Sequence, residues 1–334
     1  MRFLGLLLLA LFSLALAGPE EAAKEAMARW LGGELSPRPE ELFRAPPEEA
    51  PRLLERYALF PPPPEGLSVN LQAPKVEGSR VSFPAALGEE VGEVVVVLEG
   101  GEARRVYFRP EGLRVPAYLL TPLAGWGFLL LSLFWAFLLL RPSPFRAWLL
   151  EAWALVRAHR GLYLFTNLLL YGLFALGSLL AYAMPELARA VQVLFGGALE
   201  ALGLEGAVNK GLPVLAGVIF HWNFSQGLFL TGLLPALFLG VPVLLLNALR
   251  YLAFGFALSP ALLGSAFLFH LPTLVLELQA YILVTFGGLV LLAKTLRGEG
   301  YRSGLRGLLL AFYLGALFLL LAAWYEAWEV VFLL

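Results

Sequence analysis

From Val115 onward the chain is a succession of apolar runs, each long enough to cross a bilayer, and this restricts the fold more than any motif does. A hydrocarbon core of roughly 30 Å takes about 20 apolar residues in helical form. In lipid every backbone polar group must be satisfied within the protein, so such runs fold as helices. The spans fall near 118–140, 162–184, 213–236, 238–258, 271–293 and 307–331. The expected class is an all-α polytopic membrane protein of about six transmembrane helices, with the transmembrane domain filling residues 116–334. Composition agrees: 59% of the 334 residues are hydrophobic and 15% charged, with a mean hydropathy of +0.76, beyond what a water-soluble core requires. Between the third and fourth spans, "GLLPALFLGVP" carries glycine and proline, which leaves open whether the two are separate or merge into a kinked or re-entrant pair.

The amino terminus reads as an export signal over residues 1–17. Arg2 precedes "FLGLLLLALFSLALA", and Ala15-Leu16-Ala17 gives the small-x-small pattern that a signal peptidase cuts. Residues 18–115 then form a small extracytoplasmic β-rich domain. "PEEAAKEAMARWLGG" has the proline start, acidic first turn and glycine stop of a short helix. "LSVNLQA", "SRVSFPA", "GEVVVVLEGG" and "EARRVYFRP" alternate as strands do, with a hairpin turn at "EGGEA".

Charge placement sets the expected topology. Arg141, Arg146, Arg157 and Arg160 lie in one loop, and Lys294, Arg297, Arg302 and Arg306 in another, so both are expected in the cytoplasm. That puts the protein in the cytoplasmic membrane with its amino-terminal domain and carboxyl terminus outside. In 147–158, Trp148, Leu149, Trp153 and Val156 oppose Arg157 and the neighbouring Arg146, which suits a helix lying along the interface or an amphipathic connector. A formal net charge of −1 gives no reason to expect nucleic acid as a partner. With no cysteine and three histidines, no metal or other cofactor is expected.

The polar residues inside the spans carry the functional question. A charge at mid-membrane costs a few kcal/mol or more, so Glu277 in "FHLPTLVLELQAYILVTFGG" needs a reason. At helical spacing His270, Thr273, Glu277, Tyr281, Thr285 and Gly288 form one stripe, with Pro272 suited to the first helical turn. The third span offers Asn223, Gln226, Gly227 and Thr231; the fourth offers Asn247, Arg250 and Tyr251; the last offers Gly315, Ala322, Glu326 and Glu329. Amides and carboxylates in hydrocarbon need partners, and a structural Glu277 would be a protonated or paired carboxyl that bridges spans through hydrogen bonds to Asn223, Asn247 or His270. The four faces are therefore expected to converge on a polar core of Asn223, Gln226, Asn247, Arg250, His270, Thr273, Glu277, Tyr281 and Glu326.

These same segments resemble the stage II sporulation protein M family of integral membrane proteins. The matching positions are Asn223, Asn247 with Gly255, Pro272 with Glu277 and Leu278, and Glu326 with Ala327, within residues 162–332. Thr273 and Leu274 stand where the family motif has histidine and glycine, and the amino-terminal domain has no part in the resemblance. The resemblance implies a non-enzymatic scaffold or recruiting component of a cell-envelope complex. Its partners would be the lipid bilayer and other envelope membrane proteins, with cell-wall hydrolases among them, and a homo-oligomer is left open. Two other readings stand beside it. One is a transporter or permease whose polar site surrounds Glu277, next to a broken backbone of the kind transporters use. The other is intramembrane catalysis pairing Glu277 with His270 or His221, which no ligand spacing or nucleophile turn supports.

Overall fold

The computed structural model describes residues 18–111, 115–201 and 205–333, and the chain is 71% helical. The signal segment expected over 1–17 lies outside the described residues. The chain divides into two compact units, Met1–Arg114 with Arg189–Gly203, and Val115–Ala188 with Leu204–Leu334.

The first unit holds a five-stranded antiparallel sheet. Helix α1 (Pro19–Leu31) opens on proline, carries Glu20 and Glu21 in its first turn and ends at Gly32. The acidic pair meets the positive end of the helix dipole. After α2 (Pro39–Arg44) and α3 (Ala50–Leu59) come β1 (Leu67–Val69), β2 (Lys75–Glu77), β3 (Arg80–Leu87), β4 (Glu90–Glu99) and β5 (Glu102–Pro110). The order is β1-β3-β4-β5, and β2 pairs with the opposite end of β3 from β1. The β4–β5 turn sits on Gly100 and Gly101, with φ of 62° and 90°, the left-handed pair that a tight hairpin uses. Alternation puts Val81, Phe83, Val94, Val96 and Val106 on one face, where they bury Ala23, Met27 and Trp30 of α1. The proline run has a packing role, since Trp30 Nε1 donates to the Pro61 carbonyl at 2.6 Å. Alternation alone predicts a sheet with one wet face, but Val95 and Tyr107 on the other face are buried too. The unbroken "VVVV" of β4 is the corresponding signal, because a continuous apolar strand is one covered on both faces.

The second unit is a helical bundle. Its main helices are α4 (Pro122–Leu140), α5 (Pro144–Ala158), α6 (Arg160–Ala183), α8 (Leu212–Trp222), α9 (Val241–Ala257), α10 (Ala266–Leu296) and α11 (Tyr301–Phe332); α7 (Pro185–Ala201) follows α6 and belongs from Arg189 on to the first unit. Among the described residues five helical stretches are long and apolar enough to cross a membrane: α4, α6, Val241–Leu263, α10 and α11. The protein is thus a helical, multi-pass membrane protein. The remaining expected span, 213–236, is helical over Leu212–Ala236. Its centre, Asn223–Leu233, is an 11-residue π-helix.

One local expectation is corrected. Pro272 is not in a first helical turn: α10 begins at Ala266, so the proline lies inside the helix and His270 belongs to the same continuous face as Glu277. The "GLLPALFLGVP" stretch closes as a turn over 237–240, with Leu239 and Gly240 at φ 61° and 73°. A Cβ on Gly240 would lie 2.3 Å from the Gly288 backbone of α10, so only glycine lets this turn rest there.

Hydrogen bonds and packing define two ends of the bundle. At one, Tyr301 Oη donates to the Leu237 carbonyl at 2.9 Å, Arg306 pairs with Glu151 at 2.8 Å and Tyr313 Oη donates to the Phe145 carbonyl at 3.0 Å. At the other, Val115, Ala207, Ala323 and Ala327 pack together with Leu119 and Trp324. Ala152 and Val156 of α5 bury against Phe286, Val290, Ala311 and Leu314, while Trp148 and Trp153 stay 45% and 37% exposed. The expected apolar face of α5 is therefore split between bundle and surroundings. Helices α6 and α9 cross at Gly177 and Gly255, where added Cβ atoms would come within 2.2 Å of the Leu252 carbonyl oxygen and 2.0 Å of the Phe174 carbonyl oxygen. Small residues at such crossings let helices approach closely in lipid.

Candidate functional site

Helix α10 is the centre of the bundle. Every residue from Leu278 to Leu291 is buried, so its polar side chains face protein rather than lipid. Asn247 of α9 is fully buried and donates to Thr285 Oγ1 at 2.7 Å and, more weakly, to the Tyr281 carbonyl at 3.5 Å. Arg250, one turn along α9, donates to Asn247 Oδ1 at 2.9 Å and to Thr231 Oγ1 of the π-helix at 2.5 Å. Its guanidinium carbon lies 4.5 Å from the centroid of the Tyr281 ring, a cation–π contact that strengthens away from water. Tyr281 Oη donates to Glu277 Oε1 at 2.9 Å. Gly227 makes room for that hydroxyl, because a Cβ there would stand 2.4 Å from it. Tyr251 fixes α9 to α10 a second time by donating to the Leu278 carbonyl.

A second polar group lies toward the end of the bundle that holds Val115 and Ala327. Glu329 is 1% exposed and accepts from Thr273 Oγ1 at 3.2 Å, with His270 Nδ1 at 3.1 Å from its other oxygen. Glu326, one turn earlier on α11, has a buried Oε2 without a hydrogen-bond partner among the described residues. It is within electrostatic reach of both Glu277 and Glu329.

The structure thus joins Asn247, Arg250, Tyr281 and Glu277 into one chain of contacts, and His270 and Thr273 into another through Glu329. Glu277 bonds to Tyr281 on its own helix, not to Asn223, Asn247 or His270. The physical reason is local, since residues four apart lie over one another on a helix and the phenol reaches the carboxylate first. Asn223 is partly exposed and Gln226 exposed, and among the described residues neither side chain makes a hydrogen bond. Comparison of the chain with protein-family models, with curated proteins and with solved structures finds no match in any of the three. The chemistry of the site therefore rests on its own geometry.

Sequence reasoning missed a third group. Gln279 Nε2 donates to Tyr163 Oη at 2.6 Å, and Tyr171 Oη lies 3.4 Å from Gln279 Oε1, tying α6 to the opposite side of α10. The signal was a glutamine two residues beyond Glu277, which on a helix points away from the Glu277 stripe and still needs partners. Among the described residues no three His, Asp or Glu side chains sit close enough to hold a metal ion. Outside the polar groups, an apolar cavity of about 130 Å³ is lined by Phe128, Trp135, Phe220, Phe224 and Leu320.

Proposed function

We propose that this is a six-span protein of the cytoplasmic membrane, akin to the stage II sporulation protein M family, that acts as a non-enzymatic scaffold or recruiting component of a cell-envelope complex. The observation that carries the reading is that the polar interior cross-links helices. Asn247–Thr285 and Tyr251–Leu278 join α9 to α10, Gln279–Tyr163 joins α6 to α10, and Thr273–Glu329 joins α10 to α11. Ser178 Oγ adds a bond to the Gly255 carbonyl between α6 and α9 at 3.0 Å. A bundle tied in this way is rigid, as a scaffold needs to be.

The sixth crossing is the Leu212–Ala236 stretch, which runs from the Ala207 end of the bundle to the Leu237 end. With the arginine-rich end in the cytoplasm, the sheet domain and Phe332 lie outside. Two experiments test this. A cysteine placed at Ser303 should resist an impermeant maleimide in intact cells, whereas one at Ser68 of β1 should react; labelling at 303 inverts the topology. A photo-crosslinking residue at Val76 of β2, 44% exposed, should capture envelope proteins, cell-wall hydrolases among them. No such adduct, together with altered solute uptake on deleting the gene, would favour the second reading, a permease. That reading draws on one specific observation: Arg250 and Glu277 stand near one another beside a π-helix without pairing, and π-helical turns are frequent at functional sites.

A further inference from the structure

Two opposite charges a few ångströms apart in a low-dielectric interior attract strongly, so an arginine and a glutamate there close into an ion pair unless something holds them apart. Arg250 and Glu277 do not close. The guanidinium lies over the Tyr281 ring, and the Tyr281 hydroxyl is bonded to Glu277, so the phenol stands between the charges as a spacer. Arg250 directs its Nη donors to neutral oxygens of Asn247 and Thr231, and its Nε has no acceptor among the described residues. On the other side, Glu326 Oε2 is buried without a donor and lies within electrostatic reach of Glu277. Glu329 leaves that gap open, its oxygens already engaged by His270 and Thr273. One end of the cluster therefore has an uncommitted cationic donor, and the other has carboxylate oxygens lacking one.

We infer that this arrangement binds a zwitterion, with an anionic oxyacid group on Arg250 and a primary ammonium on Glu277 and Glu326. An ammonium has three donors and no acceptor, which suits two carboxylates that share a site. Arg250 adds a planar fork for oxyanions. The cluster also reaches the surface of the bundle. Thr231, Arg250 and Glu277 are partly exposed and Gln226 is exposed, among exposed Phe229, Leu230, Leu246 and Leu249. Arg250 lies about 14 Å along α9 from Val241 at 1.5 Å per residue, near half of the roughly 30 Å core. Polar side chains that reach the surface at that depth, among exposed apolar ones, are met sideways from the bilayer. A lipid headgroup bearing phosphate and amine has the required chemistry, as does a free amino-phosphate. The inference is independent of the scaffold reading, because a lipid that is held and one that is moved make the same contacts.

The test uses the purified full-length chain in detergent, titrated with phosphatidylethanolamine, phosphatidylglycerol or free phosphoethanolamine and read by native mass spectrometry and thermal shift. Phosphatidylethanolamine should bind and raise the melting temperature. Phosphatidylglycerol, which has the phosphate without the ammonium, should bind about tenfold more weakly. Glu326→Gln removes no hydrogen bond from the free protein, so its unliganded melting temperature should hold while phosphatidylethanolamine affinity falls about tenfold. Should that variant melt early, the preference of the wild type between the two lipids still decides. Arg250→Gln should weaken both lipids. A response to free phosphoethanolamine without one to the lipid keeps the ligand chemistry and makes the source soluble. Equal binding of the two lipids, unchanged phosphatidylethanolamine affinity in a stable Glu326→Gln, or a response to sodium or ammonium ions alone would each overturn the zwitterion site.

Discussion

Helices α4 and α10 are almost equally apolar, with mean hydropathies of 2.2 and 1.9 over an 18-residue stretch of each, yet 6% of the first stretch and 83% of the second is buried inside the protein. Hydropathy measures preference for a non-aqueous medium and cannot distinguish lipid from protein. What distinguishes these helices is the minority of their residues. In α4 the small and polar positions are few, and a Cβ on Gly127 would meet nothing within 4 Å. In α10 Thr273, Gln279, Tyr281 and Thr285 are buried and bonded, while Gly287 and Gly288 lie against α11 and the 237–240 turn. The apolar majority puts a helix in the membrane, and the polar and small minority puts it in the middle of the bundle.

The largest effect that should separate the two kinds of helix comes from adding one methyl. Gly255→Ala would drive a Cβ into the Phe174 backbone, and overpacking of that kind costs about 1–3 kcal/mol or more. Thermal unfolding in detergent should show it clearly. Gly127→Ala on α4 should be neutral or stabilising by up to about 1 kcal/mol, as alanine is the better helix former. Equal losses for the two would erase the distinction.

Next in size is Asn247→Leu, which leaves Thr285 and one Arg250 donor without their partner. Stability should fall by about 1–3 kcal/mol, the cost of a buried polar group left unmade. A polar-to-leucine change on α4, Ser132→Leu, at a partly buried position that accepts from Trp324 Nε1 at 3.1 Å, should cost less. A larger loss at Ser132 than at Asn247 would contradict the ranking of the two helices.

At Glu277 the comparison moves inside α10. Glu277→Gln should be mild, below about 1 kcal/mol, because an amide still accepts from Tyr281, whereas Glu277→Leu leaves the buried Tyr281 hydroxyl without its acceptor and should cost more. Matching melting temperatures for the two variants would mean that the Tyr281–Glu277 bond has no structural weight.

The smallest expected effect lies outside the spans. Burial first, then Lys294 and Arg297, hold the His159 imidazole below its ordinary value of 6.5. The folded state thus favours the neutral ring, so this contribution is complete above pH 6.5 and is lost as pH falls through it. His159→Gln should flatten that slope slightly in melting temperatures taken from pH 8 to pH 5, and an unchanged slope would assign it to other groups.

By itself the sequence determined the class of solvent and much of the local structure. Apolar run length located the five long helices, with the starts of α10 and α11 five and six residues earlier than expected, because a bilayer demands that length. Proline, glycine and acidic positions marked α1, and the paired glycines marked the β4–β5 turn, because those preferences act over a few residues. The stripe on α10 was legible for the same reason, as helical period alone places Thr273, Glu277, Tyr281 and Thr285 together. Only the tertiary structure decided which residues on other helices meet that stripe. Asn247 met Thr285 while Asn223 met no partner, and His270 turned to Glu329 instead of Glu277. It also decided that Pro272 stands within a helix and that Asn223–Leu233 winds as a π-helix. Those outcomes depend on the glycine contacts that set how closely the helices approach, and a contact between distant segments leaves no period in the sequence.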